Sequence, residues 1–278
     1  MTFLFDLIKT ICLGIIQGIT EWLPISSTGH LLIFNSIWPM LPAEFFDVFK
    51  VVIQFGSILA VLYLFHHRLN PWDKSKTEKE KIRTYNLWIK VIVGVIPAAV
   101  IGLLLNDIID EYLSQNFVIA VALIAYGIIF IIVEQHPKKP TIKSIYRMDY
   151  KTALKIGFFQ CLALIPGTSR SGATILGALL LGIARPAGAE FTFFLAIPVM
   201  FGASGLKLLK FLLDGGGFIG WEFFYLLFGA VVAFVISMLT IKLLMRFVEK
   251  HDFKVFGWYR IVLGAIVICA LVIPTLLG

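Results

Sequence analysis

Residues 17–30 read QGITEWLPISSTGH and residues 166–172 read PGTSRSG. Each stretch is a polar break between two apolar runs: residues 3–36 form one such unit and residues 152–183 the other. The arms are about 11 to 18 residues long. At ~1.5 Å rise per residue the shorter ones reach only ~20 Å, less than the ~30 Å of a bilayer's hydrocarbon core. A helix, a turn at Pro, Gly and Ser, and a helix leading back out make a re-entrant hairpin. Its broken backbone is tolerable at membrane depth only when buried in protein or lining a wet cavity. GIIQGITEWLPISSTGHLL aligns with GFFQCLALIPGTSRSGATIL once one gap is allowed before the proline, so the two units read as an internal repeat.

Outside the hairpins, six apolar runs are long enough to span, at about 47–65, 87–105, 117–134, 189–212, 221–246 and 256–276. Three follow each hairpin. An odd number of crossings brings the second hairpin in from the opposite face, so that the two tips can meet near the midplane. The expected fold is therefore all-α: a polytopic membrane protein with six transmembrane helices plus two re-entrant helical hairpins in an inverted-topology repeat. It forms one membrane domain over residues 1–278, with repeat 1 at about 1–135 and repeat 2 at about 152–278.

Composition agrees. Of the 278 residues 59% are hydrophobic and 15% charged, whereas a soluble domain carries about 25% charged residues to cover its surface. The net charge of +7 does not signal nucleic acid, because the cations gather in loops. The 66–86 loop carries Arg68, Lys74, Lys76, Lys79, Lys81 and Arg83, the 135–151 loop five more, and the turn near 242–255 has Lys242, Arg246, Lys250 and Lys254. The alternate loops, 106–116 and 213–220, have neither Lys nor Arg and hold Asp107, Asp110, Glu111 and Asp214. All three basic loops then fall on one side, the cytoplasmic one, with both termini outside. Asp6, Gln17 and Glu21 do not fit a cleaved signal peptide. Cys12, Cys161 and Cys269 lie apart in apolar stretches and read as small buried hydrophobes.

Ionisable groups at membrane depth are costly and mark function. Here they are Glu21, His30 and Arg170, surrounded by Ser26, Ser27, Thr28, Ser169, Ser171 and Thr174. A helix start after each break offers free N–H groups and the positive end of a helix dipole, a site for an anion and above all phosphate. Arg170 adds a permanent planar cation with bidentate reach. For the hydroxyl residues alone, plain helix capping is the competing reading. Gln17 and Glu21, four apart, share a helix face. Glu21 suits a general base, a metal ligand or a counter-ion, and Gln17 a carbonyl ligand or an interhelical hydrogen bond. Ser27 and His30 lie about one turn apart, so His30 is a candidate base for Ser27 or acid for a leaving oxygen. Asp47, Lys50, Arg185, Glu190 and Arg260, near the ends of spanning runs, are expected to snorkel or complement helix ends. Pro97 and Pro198 are expected to mark kinks.

QGITEWLPISSTGH and PGTSRSGAT resemble the two signatures of undecaprenyl-diphosphate phosphatases of the bacitracin-resistance type, and the likeness covers nearly the whole chain. The resemblance implies an enzyme of the bacterial inner or plasma membrane. It would dephosphorylate a C55 polyprenyl diphosphate to the monophosphate, recycling the carrier for peptidoglycan and conferring bacitracin resistance. It maps the family's serine and histidine onto Ser27 and His30, and its phosphate-binding residues onto Ser169, Arg170 and Thr174. Gln17 and Glu21 fall on the acidic-or-amide position and the glutamate of the first signature. A divalent cation, Mg or Ca, is expected there, held by Glu21 with an uncharged Gln17. The expected partners are the polyprenyl diphosphate and membrane lipids, with a homodimer left open. Two chemistries are compatible: Ser27 attack through a phosphoserine, with His30 or Glu21 as base, or direct attack by water activated by Glu21 and a divalent ion. The rival class is a lipid-carrier or anion transporter or flippase using the same midplane site.

Overall fold

The computed structural model describes residues 2–40, 42–113 and 115–273; the side chains of residues 2, 106–108, 110 and 111 fall outside the description. Asp107, Asp110 and Glu111 of the acidic loop are thus outside it. Among the described residues the chain is helical, with one isolated β-bridge, Ile142 to Ile183.

The first unit comprises α1 (Thr2–Thr20) and α2 (Ser27–Ile37). Then come α3 (Ala43–Val52), α4 (Gln54–Leu64), the single turn α5 (His66–Leu69), α6 (Glu78–Ile108) and α7 (Asn116–Gln135). The second unit is α8 (Tyr150–Cys161) and α9 (Arg170–Leu180), followed by α10 (Arg185–Leu213), α11 (Glu222–Lys250) and α12 (Lys254–Val267). Among the described residues seven helical stretches, not six, are long and apolar enough to cross a membrane, and the additional one is Phe3–Thr20. At 19 residues α1 is ~28 Å long, whereas α2, α8 and α9 have 11, 12 and 11 residues and stay short. The run at 47–65 divides into two helices that meet at Ile53. Lys242, Arg246 and Lys250 belong to the last turns of α11 rather than to a turn. Helices continue past the apolar layer because backbone hydrogen bonding favours adding a residue to an existing helix in water as well as in lipid. Pro97 and Pro198 lie within the continuous α6 and α10.

The ends of the two units make separate sets of contacts. Phe3 packs on Trp221 and Tyr225 at the start of α1, and Lys9 Nζ reaches the Pro39 carbonyl just beyond α2. In the second unit, Lys138 Nζ caps the Leu180 carbonyl at the end of α9, and Tyr150, at the start of α8, donates to Asn86. The three basic segments also converge there: Arg68 pairs with Glu190, and Glu134 accepts from Arg185 and from the Phe253 N–H. Packing is symmetric as well. α1 lies along α11 as α8 lies along α6, and α7 pairs with α12. In that last pair a Cβ on Gly127 would meet the Gly257 carbonyl at 2.7 Å and one on Gly264 would meet the Ala120 carbonyl at 3.0 Å. Only glycine permits both approaches.

Arg260 and Glu190 depart from the snorkelling expectation, and Arg185, still partly exposed, adds an ion pair to it. Arg260 is fully buried. Arg185 makes two hydrogen bonds, 2.9 and 2.5 Å, to the buried Glu134, and Glu190 is buried against Arg68. Sequence position does not give the helix face they occupy. The cysteines are free; Cys12 and Cys161 are half-buried and Cys269 is exposed. They were expected to be buried, but a membrane protein can turn apolar side chains outward to lipid.

Candidate active site

The two breaks fold alike. Ser26 (φ 72°) and Ser169 (φ 69°) are the two non-glycine residues with positive φ among those described. Each caps the following helix, its Oγ accepting from the N–H of the glycine three residues on, Gly29 at 3.4 Å and Gly172 at 3.2 Å. Left-handed geometry costs a non-glycine residue of order 1–3 kcal/mol and concentrates at functional sites. As at any helix start, the N–H groups ahead of each capped glycine have no partner within the helix.

The tips are joined to each other. Ser171 Oγ bonds the carbonyls of Glu21 and Leu23, each at 3.1 Å. The Arg170 guanidinium donates through Nη2 to Glu21 Oε1 at 2.9 Å and through Nη1 to the Thr192 carbonyl at 2.9 Å, and it lies over the Trp22 ring. Glu21 Oε2 accepts from Ser27 Oγ at 2.9 Å and from Gln17 Nε2 at 3.1 Å. One buried carboxylate thus binds a cation on one oxygen and a hydroxyl on the other. Replacing either member of such a pair strands the other's charge in a medium that solvates it poorly.

A cavity of about 150 Å³ opens at this junction, lined by Glu21, Ser26, Ser27, Thr28, Ser169 and Arg170 together with Gln54 and Met200. It has room for phosphate oxygens but not for a long hydrocarbon. Gln54, at the start of α4, was missed in the sequence; an amide inside an otherwise apolar run was the available signal. The remaining candidates sit around this cavity rather than in its lining. Thr174 is buried and donates to its own helix, at the Arg170 and Ser171 carbonyls. Ser171 is used up in joining the tips. His30 contacts neither Ser27 nor Glu21 by hydrogen bond. Its Nδ1 meets the Ser26 carbonyl and its Nε2 meets the Tyr259 hydroxyl, both at 2.7 Å. A carbonyl only accepts, so Nδ1 carries the proton and Tyr259 donates to Nε2. The ring therefore braces the Ser26 cap against α12, and the group placed to take the Ser27 proton is Glu21.

For a divalent cation the oxygen donors are Glu21 and Ser27, and Gln17, which turns its Nε2 to Glu21, would offer its buried, unpartnered Oε1 with the amide rotated. A single carboxylate plus neutral oxygens, completed by substrate phosphates, suits a hard ion such as Mg²⁺, so the residues present fit one. Among the described residues no cluster of three or more His, Cys, Asp or Glu could hold a metal by itself.

The family model described as "Bacitracin resistance protein BacA" matches residues 10–266. The chain is 55% identical over 266 residues to "Undecaprenyl-diphosphatase 1" of Clostridioides difficile (strain 630), covering 95% of this chain and 96% of that one. It is 53% identical over 269 residues to "Undecaprenyl-diphosphatase" of Latilactobacillus sakei, covering 96% and 98%. Its identity to the protein of that name in Lactiplantibacillus plantarum is 50% over 268 residues, covering 95% and 98%.

Proposed function

We propose that this chain, which belongs to the bacitracin resistance protein BacA family, hydrolyses undecaprenyl diphosphate at the junction of its two hairpin tips. The products are undecaprenyl phosphate and inorganic phosphate, so the enzyme returns the lipid carrier to cell-wall synthesis and confers bacitracin resistance. The observation that carries the site assignment is the Ser27–Glu21–Arg170 cluster: a hydroxyl on a carboxylate, the carboxylate on a guanidinium, all three lining one cavity.

The diphosphate enters the cavity and the isoprenoid tail stays in lipid or between helices. Arg170 and the N–H groups opening α2 and α9 receive its oxygens, with Ser169 and Thr28 at the rim. Phosphoryl transfer is mainly a task of positioning and charge stabilisation, and these groups supply both. Glu21 takes the Ser27 proton as Oγ attacks the terminal phosphorus, and undecaprenyl phosphate departs without needing a proton. Glu21 sheds that proton to solvent, deprotonates the water that cleaves the phosphoserine, and returns the new proton to the departing Ser27 Oγ. Where a divalent cation binds, Glu21 and Gln17 Oε1 would hold it, and it would offset the charge of the diphosphate.

In the membrane, the short helices α2, α8 and α9 and the separate contacts at the ends of the two units support re-entrance from opposite faces. The symmetric helix pairs support an inverted repeat. The convergence of basic segments supports a cytoplasmic assignment for that end, with both termini outside.

The test is phosphate release from a polyprenyl diphosphate by the purified protein in detergent, where transport gives no signal. Acid quenching during turnover should trap phosphoserine at position 27; full activity of Ser27→Ala would eliminate the covalent route and leave direct water attack.

A further inference from the structure

Arg260 stands on the buried face of α12 with Gly257, Leu263, Gly264 and Val267. Its side chain is 0% exposed, and among the described residues no carboxylate pairs with it. Its guanidinium is held by carbonyls instead: Nη1 donates to Pro24 at 3.2 Å, and Nη2 to Gly167 at 2.9 Å and Thr168 at 2.8 Å. The Tyr126 ring lies 5.5 Å from its centre. An unpaired buried cation is expensive, and neutral carbonyls repay only part of its lost hydration. A structural staple alone could be made from an uncharged amide.

The positions of the three carbonyls give a reason for the charge. Thr168 immediately precedes Ser169, and Pro24 lies two residues before Ser26; these serines have the two positive φ angles. One side chain therefore fixes the peptides behind both strained caps. The same guanidinium lies against the start of α9, where a Cβ on Gly172 would meet Nη1 at 2.9 Å. At the matching glycine of the other tip, Gly29, the neighbour is the apolar Leu123 of α7, at 3.4 Å. Only one of the two symmetry-related positions carries the cation, and that cation reaches both tips.

We infer that Arg260 is a positioning residue for hydrolysis: it draws the Pro24, Gly167 and Thr168 carbonyls toward itself so that N–H groups, not C=O groups, face the diphosphate. Arg260 is absent from the cavity lining, so it acts through the two caps rather than on substrate. A carbonyl released to swing toward the cavity would repel the anion and remove a donor together. The placement of a second fixed positive charge behind the N-terminus of α9 has the same direction of effect, since it raises the potential where the phosphates sit. This inference rests on the assignment of the diphosphate to the junction of the tips.

The experiment compares Arg260→Met and Arg260→Lys with Arg170→Ala in purified protein, using Arg185→Met as the control for loss of an arginine that is only partly buried. The readouts are kcat and KM per folded molecule, competition by inorganic pyrophosphate, and melting temperature. Arg260→Met should lose about 100-fold in kcat/KM and bind pyrophosphate at least tenfold more weakly. Arg260→Lys, which keeps the charge but lacks the planar fork to hold three carbonyls, should recover only part. Added guanidinium should partly restore an Arg260→Ala variant, which a merely structural loss would not permit. If Arg260→Met does not survive purification, Arg260→Lys decides. A folded Arg260 variant within twofold of the parent in kcat/KM and pyrophosphate affinity overturns the inference. Near-native turnover in Arg170→Ala would instead overturn the site it rests on.

Discussion

The tip at Ser26 and the tip at Ser169 have the same backbone and different chemistry. Both place a serine in left-handed geometry, both cap a glycine N–H, and both open a short helix of 11 residues. After the cap the first tip carries Ser27 and the second Arg170. Before it, the first has Gln17 and Glu21 where the second has Gln160 and Leu164. Under the proposed function both helix starts receive the anion, with one tip supplying nucleophile and base and the other the cation. On that reading neither tip holds a complete site.

The sharpest way to break this division is to remove its two charged members. Glu21→Ala and Arg170→Ala should each lower phosphate release about 10³-fold or more, a range consistent with loss of a preorganised electrostatic group together with a stranded partner charge. The double variant should lose little more than either single one, because the pair acts as a unit. Additive losses in the detergent assay would show that the two tips work independently.

The serines should separate the tips next. Ser27→Ala should fall about 100-fold or more in kcat, whereas Ser169→Ala should fall about tenfold or less, since Ser169 caps α9 and contributes one hydroxyl at the rim. Equal losses would place the nucleophile in doubt. The two glutamines give a third contrast. Gln17→Glu puts a second carboxylate beside Glu21, and a divalent-ion titration should show half-maximal activity at a lower concentration. Gln160 is buried, and both its amide atoms lack partners. Gln160→Glu should therefore lower the melting temperature without moving that titration.

Smaller effects should follow from the brace on the first cap. His30→Gln and Tyr259→Phe should each cost only a few-fold in kcat/KM, and the double variant no more than the worse single one, because both break the same contact. A loss near 10³-fold on His30→Gln alone would restore histidine as the base. The smallest expected difference is one the tips share. At positions 26 and 169, glycine accepts the positive φ, and replacing a cap by glycine costs only a few tenths of a kcal/mol against about 1 kcal/mol for alanine. Ser→Gly should melt above Ser→Ala at both tips, and opposite orders would mean that the two backbones are not equivalent.

Helix class, the paired breaks, their likeness and the clustering of basic loops were legible in the sequence because each depends on local order. Hydropathy over some twenty residues decides what lipid accepts, a proline with glycine and serine stops a helix, and the loop charges report which segments share a side. The residues at the breaks were legible as a set for the same reason. The sequence could not assign their contacts. His30 lies one turn from Ser27, yet it faces Tyr259, 229 positions away. Arg260 sits at a depth where snorkelling explains a cation, yet the pairing of α12 with α7 turns it inward onto both tips. Gln54 joins the cavity only because α4 packs beside α10 and α11. Place along an apolar run gives a side chain's position along its helix; what it faces is set by which helices pack around it, and chemistry at these tips depends on direction.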